Sequence, residues 1–253
     1  MPDWILFIIV STAFTITWGK VLWFFAEKSK LLTKFIFYLM TFLRMPFPQI
    51  KSIMLSLIYF SFGILGALVF AGIYDLNIYD LFTFNLRFVP LIFLGIIAEI
   101  SLTGLFVGIY LETLHDKRVD PGAEIRDIPW IDGIGKLPRL LFTPFLVTSA
   151  FLEEFFFRGI LLFILVKKLS VPVPPWLALG WVTLLFLFEQ LLQLKTRTQV
   201  AILSCGSFAI SLVGGLLVLY TGSIIPAGLS HASFVIFFFG YSGMIRGNKN
   251  ISY

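Results

Sequence analysis

The sequence predicts an all-α protein, a polytopic bundle of about seven transmembrane helices. Of its 253 residues, 58% are hydrophobic and only 13% are charged, whereas a soluble domain carries about 25% charged residues. Apolar stretches of roughly 18 or more residues recur along the chain, and each is long enough to cross a bilayer. The composition therefore excludes an ordinary soluble domain and indicates an integral membrane protein.

The apolar segments give the expected organisation of the chain. Candidate spans cover residues 4–25, 52–73, 88–110, 140–166, 176–194, 200–220 and 223–241. Segment 31–43 is apolar but too short to span, so we interpret it as an interfacial or re-entrant helix. We expect one membrane domain over residues 1–253, with N-terminal helices in 1–137 and a core in 138–241.

The basic residues set the expected orientation and exclude one class of partner. Stretch 27–51 is rich in Lys and Arg and belongs on the cytoplasmic side by the positive-inside rule. The N-terminus then lies outside, and loop 112–139 and the C-terminus lie inside, while Lys167 and Lys168 fall outside, against the rule. Since the basic residues lie mostly between spans, the net charge of +5 does not indicate a nucleic-acid partner.

Three charged residues interrupt the apolar stretch 140–166, namely Glu153, Glu154 and Arg158. A charge at the centre of a transmembrane helix costs about 2.5–3.5 kcal/mol on insertion scales, so such residues indicate function. Glu154 and Arg158 are four residues apart and can pair on one helix face. Glu153 lies about 100° around the helix and can serve as a general base or acid. The alternative is an ion pair that only locks helix packing.

Two further polar groups lie in the spans. Glu99, near the centre of the third span, is either functional or a packing residue. His231, in the last span, can accept a proton, donate to an oxyanion, bind a metal, or merely pack. A zinc site would have to use Glu153, Glu154 and His231, and nothing else in the sequence favours one, so we expect no metal or cofactor. His115, in a polar loop, is assigned no role.

The motif Glu153-Glu154-x-x-x-Arg158, followed by Gly159 and by a late helix with His231, resembles the CPBP family (CAAX protease and bacteriocin-processing, or Abi). Type II CAAX prenyl endopeptidases belong to this family, and the resemblance covers residues 138–241. It implies an intramembrane glutamic-type protease in the cytoplasmic membrane of a bacterium. The implied substrate is a membrane-associated or prenylated peptide.

The resemblance also implies the roles of the site residues. A Glu of the first motif, with a His of the second, activates water, and His231 with the residue four positions later supports the oxyanion. This chain departs from the pattern twice, because Gln190 stands where the second motif has His and Val235 stands where Asn is common. The implied catalytic set is therefore Glu153, Glu154, Arg158, His231 and Gln190. Glu189 could substitute for the missing base if it faces inward.

Three functions from different classes are compatible with these residues. The first is a CPBP-type membrane peptidase, which the intact first motif and His231 favour. The second is a catalytically impaired relative that serves as a membrane scaffold, assembly or partner-binding subunit, which Gln190 and Val235 favour. The third is a transporter with Glu99 and Glu153 as proton relays, which lacks the paired repeats that such folds carry.

Overall fold

Helices make up nearly all of the chain. The computed structural model describes residues 3–114, 116–137, 139–192 and 194–241, with the backbone alone for 21–27, 139, 240 and 241, and no strand occurs in these ranges. The predicted all-α class is confirmed. His115 and the C-terminal residues used for the orientation argument lie outside the described ranges.

In the part of the chain that the structure describes, each of the seven predicted spans is helical, and three shorter α-helices lie between spans. The α-helices are α1 Asp3–Lys28, α2 Lys30–Leu43, α3 Phe47–Ile73, α4 Val89–Thr113, α5 Pro121–Arg126, α6 Pro129–Gly135, α7 Arg139–Glu153, α8 Pro175–Leu191, α9 Arg197–Thr221 and α10 Ile225–Ile236. Short 3-10 helices, Ile78–Phe82 and Leu86–Phe88, precede α4.

Membrane character rests on helix length and apolarity. In the described ranges three helical segments are long and apolar enough to cross a bilayer, at Phe47–Ile73, Leu86–Thr113 and Arg197–Thr221. Two shorter apolar helices lie at Pro175–Leu191 and Ile225–Phe239. The length and apolar composition of these helices are those of an integral membrane protein.

Segment 31–43 forms the separate helix α2, as predicted. The side chain of Ser29 caps it by accepting a hydrogen bond from the Leu32 amide at 3.1 Å. It ends at Arg44, whose φ of 53° is left-handed and cannot continue a helix. Leu32 and Ile36 pack with Ile50 in a small core, so α2 lies beside α3. Its 14 residues are fewer than the roughly 20 that cross a bilayer, and its interfacial or re-entrant placement stays a prediction.

The central helix differs from the regular α-helix that the sequence predicts. It is α-helical up to Glu153 and continues as π-helix over Glu154–Leu162 and Ile164–Lys168. A π-helix is rare and costs stability unless packing supports it, and it is frequent at functional sites. Here Phe156 and Phe157 are fully buried in the aromatic core and supply that packing.

The Asp3 side of the bundle, which comprises Asp3 and residues 75–88, 168–174 and 222–224, is held together by connector contacts. Asp3 Oδ2 accepts hydrogen bonds from the Ser170 amide at 2.7 Å and the Ser170 hydroxyl at 2.6 Å. Lys168 Nζ donates to the Asp75 carbonyl at 2.6 Å. Lys167 Nζ lies 4.5 Å from the Phe163 ring centroid. Local contacts therefore accommodate the two lysines that opposed the positive-inside rule.

The Trp130 side, which comprises residues 29–46, 114, 116–137, 192 and 194–196, holds the longest polar connection that the structure describes. That connection folds into α5 and α6 and packs against α9 and α3. Gln199 Nε2 donates to the Glu124 carbonyl at 2.8 Å, and the Thr196 hydroxyl bonds the Glu124 carboxylate. These bonds hold α5 against the start of α9.

Candidate active site

Glu154 joins Arg158 to His231 inside the bundle. Its Oε1 lies 3.2 Å from Arg158 Nη1 and 3.0 Å from His231 Nδ1. All three side chains are at least 97% buried. The predicted pairing of Glu154 with Arg158 is thus present despite the π-helical backbone. Because an ionised carboxylate only accepts hydrogen bonds, Glu154 paired with Arg158 places a proton on His231 Nδ1.

Arg158 is held by an aromatic face as well as by the carboxylate. Its guanidinium carbon lies 4.2 Å from the centroid of the Phe186 ring, a cation–π distance. Glu99, fully buried on α4, faces the same charge and Ser230. Glu99 therefore belongs to the surroundings of the Glu154–Arg158 pair.

Glu153 points away from Glu154, as the helical geometry predicts, and has its own donors. Its Oε1 accepts hydrogen bonds from the Tyr59 hydroxyl at 3.1 Å and the Ser149 hydroxyl at 3.2 Å. Trp18 fixes Tyr59, because its ring stacks on Tyr59 at a centroid distance of 4.8 Å and its Nε1 donates to the Tyr59 carbonyl at 3.1 Å. The N-terminal helices α1 and α3 thus contribute directly to the site.

His231 connects the two glutamates. Its Nε2 lies 3.9 Å from Glu153 Oε2, while Nδ1 is bonded to Glu154. A separation of 3.9 Å is too long for a direct hydrogen bond and short enough for one water molecule to contact both atoms. With the proton on Nδ1, Nε2 is an acceptor that faces the Glu153 carboxylate.

Gln190 and Glu189 end α8 next to Glu153. Gln190 Nε2 donates to Glu189 Oε2 at 2.9 Å, and Glu189 is 3% exposed. The Tyr59 hydroxyl that bonds Glu153 also lies against the Glu189 carboxyl. Glu189 therefore faces inward, the condition under which sequence analysis gave it a role. Val235 lines the smaller of two adjoining cavities, where its side chain can donate no hydrogen bond.

Two cavities reach Glu153. The smaller, of about 70 Å³, is bounded by Glu153, Gln190, His231 and apolar side chains of α9 and α10. The larger, of about 280 Å³, is bounded by Tyr59, Glu153, Glu189 and Gln190, and its rim includes the exposed Lys195. Its volume approaches the lower end of ordinary ligand pockets, about 300–1,000 Å³. Trp130 and Ile134 of α6 line both cavities, so α6 forms part of the cover on the Trp130 side.

Sequence reasoning missed Tyr59, Ser149 and Gly214. Ser149 is four residues before Glu153, so helical spacing alone could have found it. Tyr59 carries no such signal, because only the packing of α3 against α7 brings its hydroxyl to Glu153. At Gly214 an added Cβ would lie 2.9 Å from Glu154 Oε2. A glycine is therefore needed there for α9 to approach the carboxylate.

The described side chains do not form a metal-binding cluster. Within the described ranges, no three His, Cys, Asp or Glu side chains are grouped so that they could hold a metal ion. Glu153 and Glu154 both approach His231, but through different ring nitrogens.

Comparison with known proteins agrees with the geometry of the motif. Residues 135–237 match a family model described as Rce1-like, type II CAAX prenyl endopeptidase Rce1-like. The match spans the central helix, α8, α9 and α10, and so includes each of the five residues in the implied catalytic set. Neither a curated protein nor a solved structure gave a significant match. The match supports the resemblance of residues 135–237 to the CPBP/CAAX protease family that the motif carries.

Proposed function

We propose that the protein is an intramembrane endopeptidase that hydrolyses a peptide bond of a membrane-associated or prenylated peptide, with Glu153 activating the water. The observation that carries this proposal is the 3.9 Å gap between Glu153 Oε2 and His231 Nε2, at the wall of a cavity. Two acceptors at that spacing suit a single water molecule.

In the proposed reaction, water donates one hydrogen bond to Glu153 and one to His231 Nε2. Both of its protons are then engaged, and a lone pair is free to attack a carbonyl carbon. Glu153 takes the proton as the new C–O bond forms, which general base catalysis accelerates by about 10²–10⁴-fold. His231 acts here by orienting the water, a different role from the oxyanion support that the resemblance implies.

Glu154 and Arg158 have positioning roles in this scheme. Glu154 accepts from His231 Nδ1 at 3.0 Å and so fixes both the ring orientation and the tautomer. A base held by a third group is the arrangement that activates water or a nucleophile in many hydrolases. Arg158 neutralises Glu154 at 3.2 Å. Gln190, on the walls of both cavities, contributes a polar amide beside the water.

The larger cavity is the proposed substrate site. It extends from Glu153 to the Trp130 side and combines apolar walls with the cation of Lys195 near its rim. We further propose a single multi-pass domain with its Trp130 side in the cytoplasm. The family resemblance supports a bacterial cytoplasmic membrane.

Cleavage of a defined peptide tests this function. A farnesylated peptide ending in Cys-aliphatic-aliphatic-X, and an unprenylated transmembrane peptide, would be incubated with the purified protein in micelles. Mass spectrometry is expected to detect fragments with the wild type and with the control Glu112→Gln, a carboxyl-to-amide change at an exposed position. Glu153→Gln is expected to give at least about 100-fold less fragment.

A scaffold function is the second candidate, and Val235 and Gln190 favour it. Val235 lacks the amide of the Asn that is common at its position, and Gln190 lacks the imidazole of the His in the second motif. If the wild type cleaves neither peptide and instead purifies from its native membrane with one stoichiometric membrane protein, the endopeptidase proposal is contradicted. Retention of that partner by Glu153→Gln would then be expected, because a scaffold does not need the water-activating carboxylate.

A further inference from the structure

The carboxyl of Glu189 is a second acidic group in the larger cavity and has no role in the water-activation scheme. It is 3% exposed and shares the cavity wall with Glu153, Tyr59 and Gln190. Its neighbours are specific: Gln190 Nε2 donates to its Oε2 at 2.9 Å, and the Tyr59 hydroxyl lies against the carboxyl. The titratable groups that face it are Tyr59 on α3 and Glu153 on the central helix.

Counting hydrogen-bond donors assigns one proton to this group. Tyr59 has a single hydroxyl proton, and Glu153 accepts it at 3.1 Å. Glu189 and Glu153 line the same cavity wall, and two carboxyls buried side by side favour a state in which only one of them is ionised. Glu189 accepts a hydrogen bond from Gln190, whereas Glu153 accepts two from hydroxyl groups, so Glu189 is the one that keeps the proton. Since Glu189 Oε2 already accepts from Gln190, the proton belongs on Oε1. Glu153, which accepts from both Tyr59 and Ser149, is the ionised member of the pair.

An ionised carboxyl and a protonated one on the wall of the same cavity are the two halves of acid–base catalysis. We infer that Glu189 is the general acid that protonates the leaving amine, an inference that rests on the peptidase function proposed above. Glu189 thus places an ionisable side chain at the end of α8, next to Gln190, whose amide side chain does not ionise.

The step balances in atoms and electrons. Glu153 takes a proton from water as the water oxygen bonds to the carbonyl carbon, and the carbonyl π pair moves onto oxygen. When that pair returns, the C–N bond breaks, its electrons pass to nitrogen, and the nitrogen takes the Glu189 proton. The products are a carboxylic acid and an amine. The proton on Glu153 then returns to Glu189 through the Tyr59 hydroxyl.

A change of leaving group separates this role from a structural one. A thiolate leaves without a proton far more readily than an amine does. With a cleaved peptide, Glu189→Gln is expected to lower amide hydrolysis by about 10²–10⁴-fold. With the same sequence carrying a thioester at the scissile position, the loss is expected to stay below about 10-fold. Glu189→Asp, which keeps an acid, is expected to retain part of the amide activity, and Glu112→Gln is the matched control.

Infrared difference spectroscopy of the purified protein tests the proton itself, without any substrate. A component of the protonated-carboxyl band is expected in the wild type and in Glu112→Gln and is expected to be missing in Glu189→Gln, while any component from the buried Glu99 stays. Equal losses of amide and thioester hydrolysis in Glu189→Gln, or an unchanged carboxyl band, would overturn the assignment while leaving peptide cleavage by Glu153 intact. A wild type that shows the band but cleaves no peptide would instead contradict the proposed function, and with it the catalytic role of Glu189.

Discussion

At the scale of single residues, the two adjacent glutamates are separated by their hydrogen-bond partners. Glu154 accepts a hydrogen bond from His231 and forms an ion pair with Arg158, and both contacts stabilise its ionised carboxylate. The hydrogen bonds that Glu153 accepts come from hydroxyl groups, and its side chain lines two cavities. Adjacent positions on one helix thus hold a carboxyl paired with Arg158 and His231 and a carboxyl that lines the cavities. The surrounding helices α3, α9 and α10 all pack against this part of the chain.

Glu154→Gln tests the positioning role. The change leaves the Arg158 charge buried beside an amide and removes a strong acceptor from His231 Nδ1. Removing one partner of a buried ion pair destabilises a protein by roughly 3–5 kcal/mol. We therefore expect a lower apparent unfolding midpoint in detergent together with slower peptide cleavage. The same change at the exposed Glu112 should shift the free energy of unfolding by less than about 0.5 kcal/mol. Equal midpoints for the two variants would contradict the ion-pair role.

Gly214→Ala tests the close approach of α9 to Glu154. The new Cβ would lie 2.9 Å from Glu154 Oε2, so the carboxylate has to move away from His231. Overpacking of this kind costs about 1–3 kcal/mol, and we expect cleavage to fall. Gly104→Ala is the matched control, because nothing lies within 4 Å of a Cβ there and alanine favours a helix. The cleavage rate and the unfolding midpoint would be measured for both variants. Equal values for Gly214→Ala and Gly104→Ala would contradict the close approach of α9 to Glu154.

At the scale of helices, the π-helical continuation of α7 is the element that places the motif. It begins at Glu154, directly after Glu153, so the backbone changes its winding between the two acids. The wider winding is stabilised by aromatic packing, including Phe156 against Trp18 at a centroid distance of 5.1 Å. The sequence contains no proline or glycine pattern that indicates π-helix between 154 and 158, which is why only a regular helix was predicted.

The link between α1 and the connector after the central helix depends on pH. Hydrogen bonds from the Ser170 hydroxyl and amide hold the pKa of Asp3 below its ordinary value. A carboxyl with a lowered pKa in the folded state contributes stability above its ordinary pKa, and that contribution is lost as pH falls through the lowered value. We expect Asp3→Asn to lower the apparent unfolding midpoint at neutral pH, with the difference from wild type vanishing in strong acid. A difference independent of pH would contradict this assignment.

At the scale of the whole molecule, the contacts of the connectors fix which helix ends share a side. Asp3 meets Ser170, Lys168 donates to the Asp75 carbonyl, and Ser223 Oγ donates to the Thr83 carbonyl at 2.6 Å. These bonds link the three connections on the Asp3 side. The remaining connections lie on the Trp130 side, which holds eight Lys and Arg residues against two on the Asp3 side. The predicted orientation stays a prediction, with the Trp130 side in the cytoplasm.

Cysteine labelling tests that orientation. In a Cys205→Ser background, single cysteines would replace the exposed residues Asp80 and Lys117. An impermeant maleimide added to intact cells is expected to label Asp80→Cys at once and Lys117→Cys only after permeabilisation. The reverse pattern would place the larger cavity on the outer side and contradict access from the cytoplasm.

The sequence predicted the parts that local patterns determine. Apolar runs gave the seven long helices, and the spacing of four residues gave the pair of Glu154 with Arg158. The inward orientation of Glu189 and the bond from Tyr59 to Glu153 arise from packing between helices distant in sequence, and no local pattern carries that information. Gly214 was missed for the same reason, because its neighbour Glu154 lies on another helix.

Hydrolysis in water enriched in ¹⁸O is the most direct test of Glu153-activated water. A single turnover of the farnesylated peptide, followed by mass spectrometry, is expected to give an N-terminal fragment with one ¹⁸O in its new carboxyl group. The wild type and Glu112→Gln should give this labelled fragment, and Glu153→Gln should give at least about 100-fold less. Equal amounts of labelled fragment from the wild type and Glu153→Gln would contradict the role of Glu153, and no fragment from the wild type would contradict the peptidase function.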